Sequence, residues 1–242
     1  LGVLVAGLHA RFRKRGAPLT VLCCDNLTEN GAVLEALVHR FTERLYPQVL
    51  PWLRDNVRFP SSMVDRIVPA TRPGDLGDAA AALGVEDHGV VRAEPFSQWV
   101  IEDRFAAPRP AWEQVGVQFV ADVKPFEKMK LRLLNGSHSA LAYLGYLGGH
   151  ETIRDCVADP AYRRFVEALW ADEIIPVTPP PPGTDLAAYA RSLLARYDNP
   201  AIRHRTWQIA MDGSQKLPQR LLGTIADRLA AGASIERLAL GV

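Results

Sequence analysis

From Glu29 to about Arg54 the apolar residues Val33, Leu34, Leu37, Phe41, Leu45 and Val49 return at three- and four-residue intervals, which predicts an amphipathic helix. Ahead of it, residues 1–15 mix Leu and Val with small residues and finish on a basic run before Gly16, as a helix does at its C-terminus. Between the two, "APLTVLCCDN" is a short continuous apolar run that turns polar at its end. It predicts a buried strand of a largely parallel sheet. "FPSSMVDRIVPA" and "GVVRAEPFSQWVIED" predict two further β segments punctuated by proline, with a short Ala-rich helix between them. Helices alternating with strands are an α/β signature. After Asp122 only helical patterns follow, at about 125–149, 159–173, 185–197 and 216–231. "PVTPPPPGTD" interrupts them as a stiff polyproline connector, with Thr184 or Asp185 as the next N-cap. The expected organisation is the end of an α/β domain over residues 1–120, then a mostly α-helical domain over residues 121–242.

Composition mainly excludes. The 242 residues are 48% hydrophobic and 23% charged, with a formal net charge of +1, an ordinary globular balance. A nearly neutral chain has no overall field to hold nucleic acid or an anionic membrane. No apolar run approaches the roughly 20 residues of a bilayer span. Cys23, Cys24 and Cys156 are too few and too badly spaced for a disulfide framework or a zinc site, so a reducing cytoplasm is the expectation. The first residues read as the tail of a helix belonging to something longer, which makes the chain a fragment.

Against this background one helix is out of character. "KMKLRLLNGSHSALAYLG" is rich in leucine, yet carries Lys130, Asn135, Gly136 and His138. On an ideal helix turning about 100° per residue, His138 lies about 80° and Asn135 about 140° round from Lys130, so one cleft can receive all three. Gly136 would let a ligand or another segment approach the backbone. A lysine in a partly desolvated cleft exchanges protons near neutral pH, and an amide can donate to an oxygen gaining charge. The plain alternative is an edge lysine, a helix-bending asparagine and a core histidine, and this stretch alone slightly favours it. Other clusters change that balance. "CCDNLTENG" sets Asp25, Asn26 and Asn30 at the carboxyl end of a predicted strand, where α/β sheets collect ligands, although they also suit an N-cap cluster. Asp65 sits in an apolar stretch beside Arg66, as a site carboxylate or half of an ion pair. Lys216 follows the turn Asp212-Gly213-Ser214, as a site amine or an exposed cap.

No glycine-rich dinucleotide turn, GxSxG elbow, HExxH pair or Walker lysine occurs, nor any metal-ligand pattern. What the chain does have is a series of longer motifs. "CDNLTENG", "FPSSMVDRIVP", "EPFSQWVIED", "FEKMKLRLLNGSH", "YLGYLGG" and "QIAMDGSQKLPQR" resemble, in order and over essentially the whole chain, motifs of the long-chain polyol dehydrogenases, the mannitol dehydrogenase family. The most specific is the run Lys130-x4-Asn135-x2-His138. "NPAIRHRTWQIAMDGSQKLPQRLL" is most similar to the fructuronate-reducing members. The resemblance implies the C-terminal part of a Rossmann-type NAD-binding domain followed by a helical substrate domain. It implies metal-independent hydride transfer between NAD(H) and a sugar acid or polyol, with fructuronate reduced to D-mannonate.

Carried onto matching positions, the resemblance makes Lys130 the general acid/base, with Asn26 and Asn135 as the amides that hold the reacting oxygen. Glu127 passes the proton to solvent, while Asp65, His138 and Lys216 line the substrate. Gln208 and Met211 stand where mannitol-oxidising members have an arginine and a histidine, which favours a uronate. For its carboxylate, Lys216, Arg203 and Arg205 are the local cations. The chain departs from the family in lacking the glycine-rich turn, which leaves the cofactor-binding residues unassigned, and its helical domain reads as cut short. The alternatives are a tagaturonate reductase, a mannitol or arabinitol 2-dehydrogenase, or a non-catalytic truncated helical module. The expected partner is a small sugar acid or polyol, with neither nucleic acid nor membrane. The expected geometry brings Asn26, Lys130, Asn135 and His138 together, with Asp65 and Lys216 at the rim.

Overall fold

The computed structural model describes residues 1–242. Helix α1 (Gly2–Arg13) places Arg11 and Arg13 in its last turn, where cations oppose the helix dipole, and buries Val5 and Leu8. Strand β1 (Leu19–Thr20) pairs in parallel with β2 (Val57–Arg58). The run around "APLTVLCCDN" thus yields a two-residue strand and then a loop. Between β1 and β2 lie α2 (Asn30–Leu45) and α3 (Leu50–Asn56), where the pattern predicted one helix. Pro47 breaks it, because the residue before a proline is driven from helical geometry; Tyr46 sits at φ −144°. Val5, Leu8, Val38, Val49, Leu53, Val57 and Phe59 form the core beneath these elements.

Strand β3 (Ser62–Asp65) runs antiparallel to β4 (Gln98–Glu102), with Ser62 opposite Ile101 and Asp65 opposite Gln98. The Ala-rich helix α4 (Pro73–Leu83) intervenes, closed by Gly84 in the left-handed region. Strand β5 (Gln118–Val120) adds to β4 in parallel. Trp112 stacks on Trp99 and Phe119 beside these strands, Phe105 meets Trp112 and Phe119 edge-on, and the Arg109 guanidinium lies 3.3 Å over Phe119. At β2 and β5 the sequence pattern gave no strand; both are too short for a period to register.

The rest is helical: α5 (Lys124–Met129), α6 (Ser137–Leu147), α7 (Ile153–Ala158), α8 (Pro160–Ala168), α9 (Leu186–Tyr197), α10 (Thr206–Ala210), α11 (Gly213–Leu217), α12 (Gly223–Ala230) and α13 (Glu236–Leu240). Asp185 caps α9 after the polyproline connector, accepting from the N–H groups of Ala187 and Ala188. No helix is long and apolar enough to cross a membrane.

The chain packs as two compact units, residues 1–65 with 98–127, and residues 66–97 with 128–242. A buried ion pair fastens the 66–97 excursion within the second unit. Both carboxylate oxygens of Glu94 accept from Arg196, at 2.7 and 3.0 Å, and Glu94 also takes the N–H of Ile67.

Candidate active site

In the second unit, the helix that begins with α5 does not stay α-helical. Lys130–Gly136 winds as a π-helix before α6 resumes. A π turn bonds residue i to i+5 and is found disproportionately at functional sites. Residues five apart become neighbours on successive turns, as residues four apart do in an α-helix. Lys130 and Asn135 are such a pair, so the wider winding brings closer two side chains that α geometry would splay. The segment is held by side chains from elsewhere. Trp170 Nε1 donates to the Leu133 carbonyl at 2.9 Å, and Tyr197 Oη donates to the Leu134 carbonyl at 2.9 Å. Ser137 Oγ also donates to the Leu133 carbonyl. Gly136 has a packing reason too: a Cβ there would stand 2.7 Å from the Arg220 carbonyl, so another segment makes the close approach.

Lys130, Asn135 and His138 are 8%, 9% and 5% exposed. Two of them keep a polar atom without a partner, Asn135 Oδ1 and His138 Nε2. An unpaired buried polar atom costs about 1–3 kcal/mol, a cost that a ligand hydrogen bond would remove. His138 stacks on Tyr197 (centroids 5.1 Å) and meets His204 edge-on at 4.8 Å. Burial, then the charges of His204, Arg220 and Arg196, hold its pKa well below the usual imidazole value, so the ring is neutral. His204 is pushed down to about 4 by burial, with Lys216 and Arg220 adding. Lys216 approaches this group but commits its amine to backbone carbonyls, donating to Met211 O at 2.6 Å and facing Asp212 at 3.8 Å. Burial and then Arg220 lower its pKa.

In the first unit, the loop after β1 is pinned by Asn30. Its amide donates to the carbonyls of Cys23, Asp25 and Ser62 and accepts the Ser62 N–H. Gly31 follows because a Cβ would stand 2.5 Å from the Pro60 backbone. "NG" is therefore a structural clasp. Asn26, exposed on the loop it fixes, donates its N–H to Asp25 Oδ1. Asp65 is buried at the end of β3, while Arg66 donates elsewhere, to the Glu94 carbonyl. Glu127 is 5% exposed and accepts the Glu29 N–H on both oxygens, at 3.1 and 3.2 Å. Burial pushes its carboxyl up, the Glu29 N–H opposes, and the carboxylates of Glu29, Glu102 and Asp122 add to the rise.

The structure thus brings Lys130, Asn135 and His138 onto one buried helix within the second unit, with Lys216 near His204. Sequence reasoning missed His204, Tyr197 and Trp170. For His204 a signal existed: Ile202, His204 and Thr206 turn inward while Arg203 and Arg205 are exposed, a period-two alternation.

Residues 1–114 match the model of the mannitol dehydrogenase Rossmann domain, and residues 122–242 that of the mannitol dehydrogenase C-terminal domain. The chain belongs to the mannitol dehydrogenase family. Its fold is accordingly a Rossmann-type domain followed by a helical one. The D-mannonate oxidoreductase of Escherichia coli (strain K12) is 55% identical over 100% of this chain and 50% of its own length. The Pseudomonas fluorescens mannitol 2-dehydrogenase, solved as a ternary complex with NAD and D-mannitol, is 40% identical. It superposes with a TM-score of 0.89 over 99% of this chain and 49% of that one. A D-sorbitol dehydrogenase in substrate-free form superposes with a TM-score of 0.91 at 34% identity, over 99% of this chain and 50% of that one. The chain spans about half the length of the mannitol dehydrogenase relatives it matches.

The family fold implies a dinucleotide, and this chain fits only part of it. It has no glycine-rich turn, and Gly31 faces protein backbone, so Gly31 is not a cradle for the phosphates. Lys130, buried on the same continuous helix as the two unpartnered polar atoms, does fit the reacting end. No three His, Cys, Asp or Glu side chains are grouped to hold a metal ion.

Proposed function

We propose that the whole protein is an NAD-dependent oxidoreductase that interconverts a keto sugar acid and its hydroxy acid, fructuronate and D-mannonate above all. The observation that carries this is the π-wound segment with the first turn of α6, which present Lys130, Asn135 and His138, buried, with Asn135 Oδ1 and His138 Nε2 unpartnered. The 55% identity to a D-mannonate oxidoreductase supports the choice of acid. NAD, when bound, supplies or takes up the hydride. Lys130 Nζ gives its proton to the carbonyl oxygen as that oxygen becomes a hydroxyl, and takes it back in oxidation. Asn135 offers its free amide end to the same oxygen; turning the amide over presents Nδ2 as a donor. Asn26 is the second amide, and Asp65 and Lys216 complete the substrate wall. His138, kept neutral, meets a substrate hydroxyl through Nε2 without adding charge to the site. Glu127, with its raised pKa, returns the proton of Lys130 to solvent.

In the full-length enzyme, Lys130→Ala should lower turnover of fructuronate with NADH by about two to four orders of magnitude, as loss of a positioned acid/base does. Turnover within tenfold of wild type would remove Lys130 from this role.

A further inference from the structure

A cavity of about 270 Å³ in the second unit carries four arginines, Arg72, Arg92, Arg203 and Arg205, together with Trp207 and Gln208. Its one lining carboxylate, Asp75, is buried and already saturated. Arg72 and Arg92 each reach it at 3.0 Å, and the Arg72 N–H adds a third bond. Arg203 and Arg205 have only Glu151, half-exposed, at 3.4 and 3.7 Å. These are long contacts, worth little at a solvated surface. The cavity therefore holds guanidinium charge in excess of its carboxylate.

The backbone fixes where that charge points. Thr152 bridges Arg205, Ile153 N–H donates to His204 O, and Thr206 N–H, at the start of α10, donates to Glu151 O, so residues 203–205 lie extended against 151–153. Extended residues alternate sides. His204 turns in to His138, while Arg203 and Arg205 share the opposite side, two forks in line. Trp207, half-exposed, adds a flat apolar wall, and Gln208 adds an amide for hydroxyls.

We infer that this cavity binds the carboxylate of a small polyhydroxy acid through Arg203 and Arg205. Paired guanidinium forks match a carboxylate bidentately, which a neutral polyol cannot exploit. Arg72 and Arg92 are held by Asp75, and Arg92 also by Asp78 at 3.0 Å, so the least compensated charge in the cavity is that of Arg203 and Arg205. The inference deepens the proposed function but does not need turnover, because the acid can be the substrate itself or a separate one.

Calorimetric titration of the full-length protein with D-mannonate and D-gluconate, against mannitol and sorbitol, tests it. The acids should bind at least about tenfold more tightly than the matching alditols, and Arg203→Gln with Arg205→Gln should erase that difference. Kinetics separate the sources. A raised KM for fructuronate with an unchanged KM for fructose assigns the carboxylate to the substrate; unchanged KM for both, with acid binding lost, assigns it to a second acid. Should the Gln pair fail to fold, Arg203→Lys with Arg205→Lys keeps the charge, loses the forks and should still weaken the acids. Acids that bind no better than alditols, or binding indifferent to either pair of substitutions, would overturn the inference. Acid binding that survives without any reduction of fructuronate would instead sink the proposed reaction and leave the cavity's assignment standing.

Discussion

Glu127 does two jobs that a substitution can separate. It receives the N–H of Glu29, which sits in the left-handed region at φ 51°, and it holds a proton more readily than an exposed carboxyl. A raised folded pKa means that its contribution to stability is full below the unfolded value, about 4.3, and is lost as pH rises through the folded value. Glu127→Gln keeps an acceptor for the Glu29 N–H and removes the buried charge. Thermal unfolding at pH 8 should find the variant at least as stable as wild type, while its turnover falls about tenfold or more through loss of the proton path. A variant that is less stable yet fully active would make Glu127 a structural clamp only. Residue types at this scale were legible to different degrees. Lys130, Asn135 and His138 could be picked out because they interrupt a leucine-rich helix. Asn30 could not be told apart from Asn26: both follow the same strand, and only the three carbonyls around Asn30 reveal it as the clasp of the loop.

Elements show a sharper limit. The helix over 125–149 was legible from its period, but its π winding was not, because "KLRLLNG" is as compatible with an α-helix. What selects the π form comes from residues 37 and 63 positions away, Trp170 and Tyr197, whose donors occupy the Leu133 and Leu134 carbonyls. Tyr197→Phe removes the bond to Leu134 together with the 2.9 Å hydrogen bond between Tyr197 Oη and Ser137 Oγ, and keeps the ring against His138. Stability should fall by about 1–3 kcal/mol, at roughly 1 kcal/mol for each hydrogen bond lost. Turnover should fall by about tenfold or more, since small displacements of reacting groups are costly. A stability loss with turnover untouched would show that the winding does not position Lys130. The excursion 66–97 has a similar lesson. Nothing local in it says which unit it joins; Arg196, 102 residues from Glu94, does. Glu94→Ala leaves that guanidinium buried without its carboxylate and should cost about 3–5 kcal/mol, measured by denaturant unfolding.

Across the whole molecule, acid should act through two histidines that the structure keeps neutral. His138 and His204 lie edge-to-face, and the charges around them are cationic: Arg220 for both, Arg196 for His138 and Lys216 for His204. Protonating either ring in the fold therefore adds a buried cation among cations, whereas the unfolded chain takes the proton at a pKa of about 6.5. The folded values are depressed, to about 4 for His204 and well below the usual value for His138. The stabilising contribution is thus complete above about pH 6.5 and is lost as pH falls from there through the folded values. Each histidine can contribute a slope of up to about 1.4 kcal/mol per pH unit across that window. Carboxylates held low by arginines, such as Asp75 and Asp227, act only at more acid pH, and Glu127 acts in the opposite sense. Urea unfolding between pH 5 and 7.5 should show stability rising with pH. His204→Gln, outside the residues proposed to touch substrate, should remove about half of that slope while leaving stability at pH 7.5 nearly unchanged. A slope identical to wild type would mean that the histidine pair does not carry the acid sensitivity of the fold.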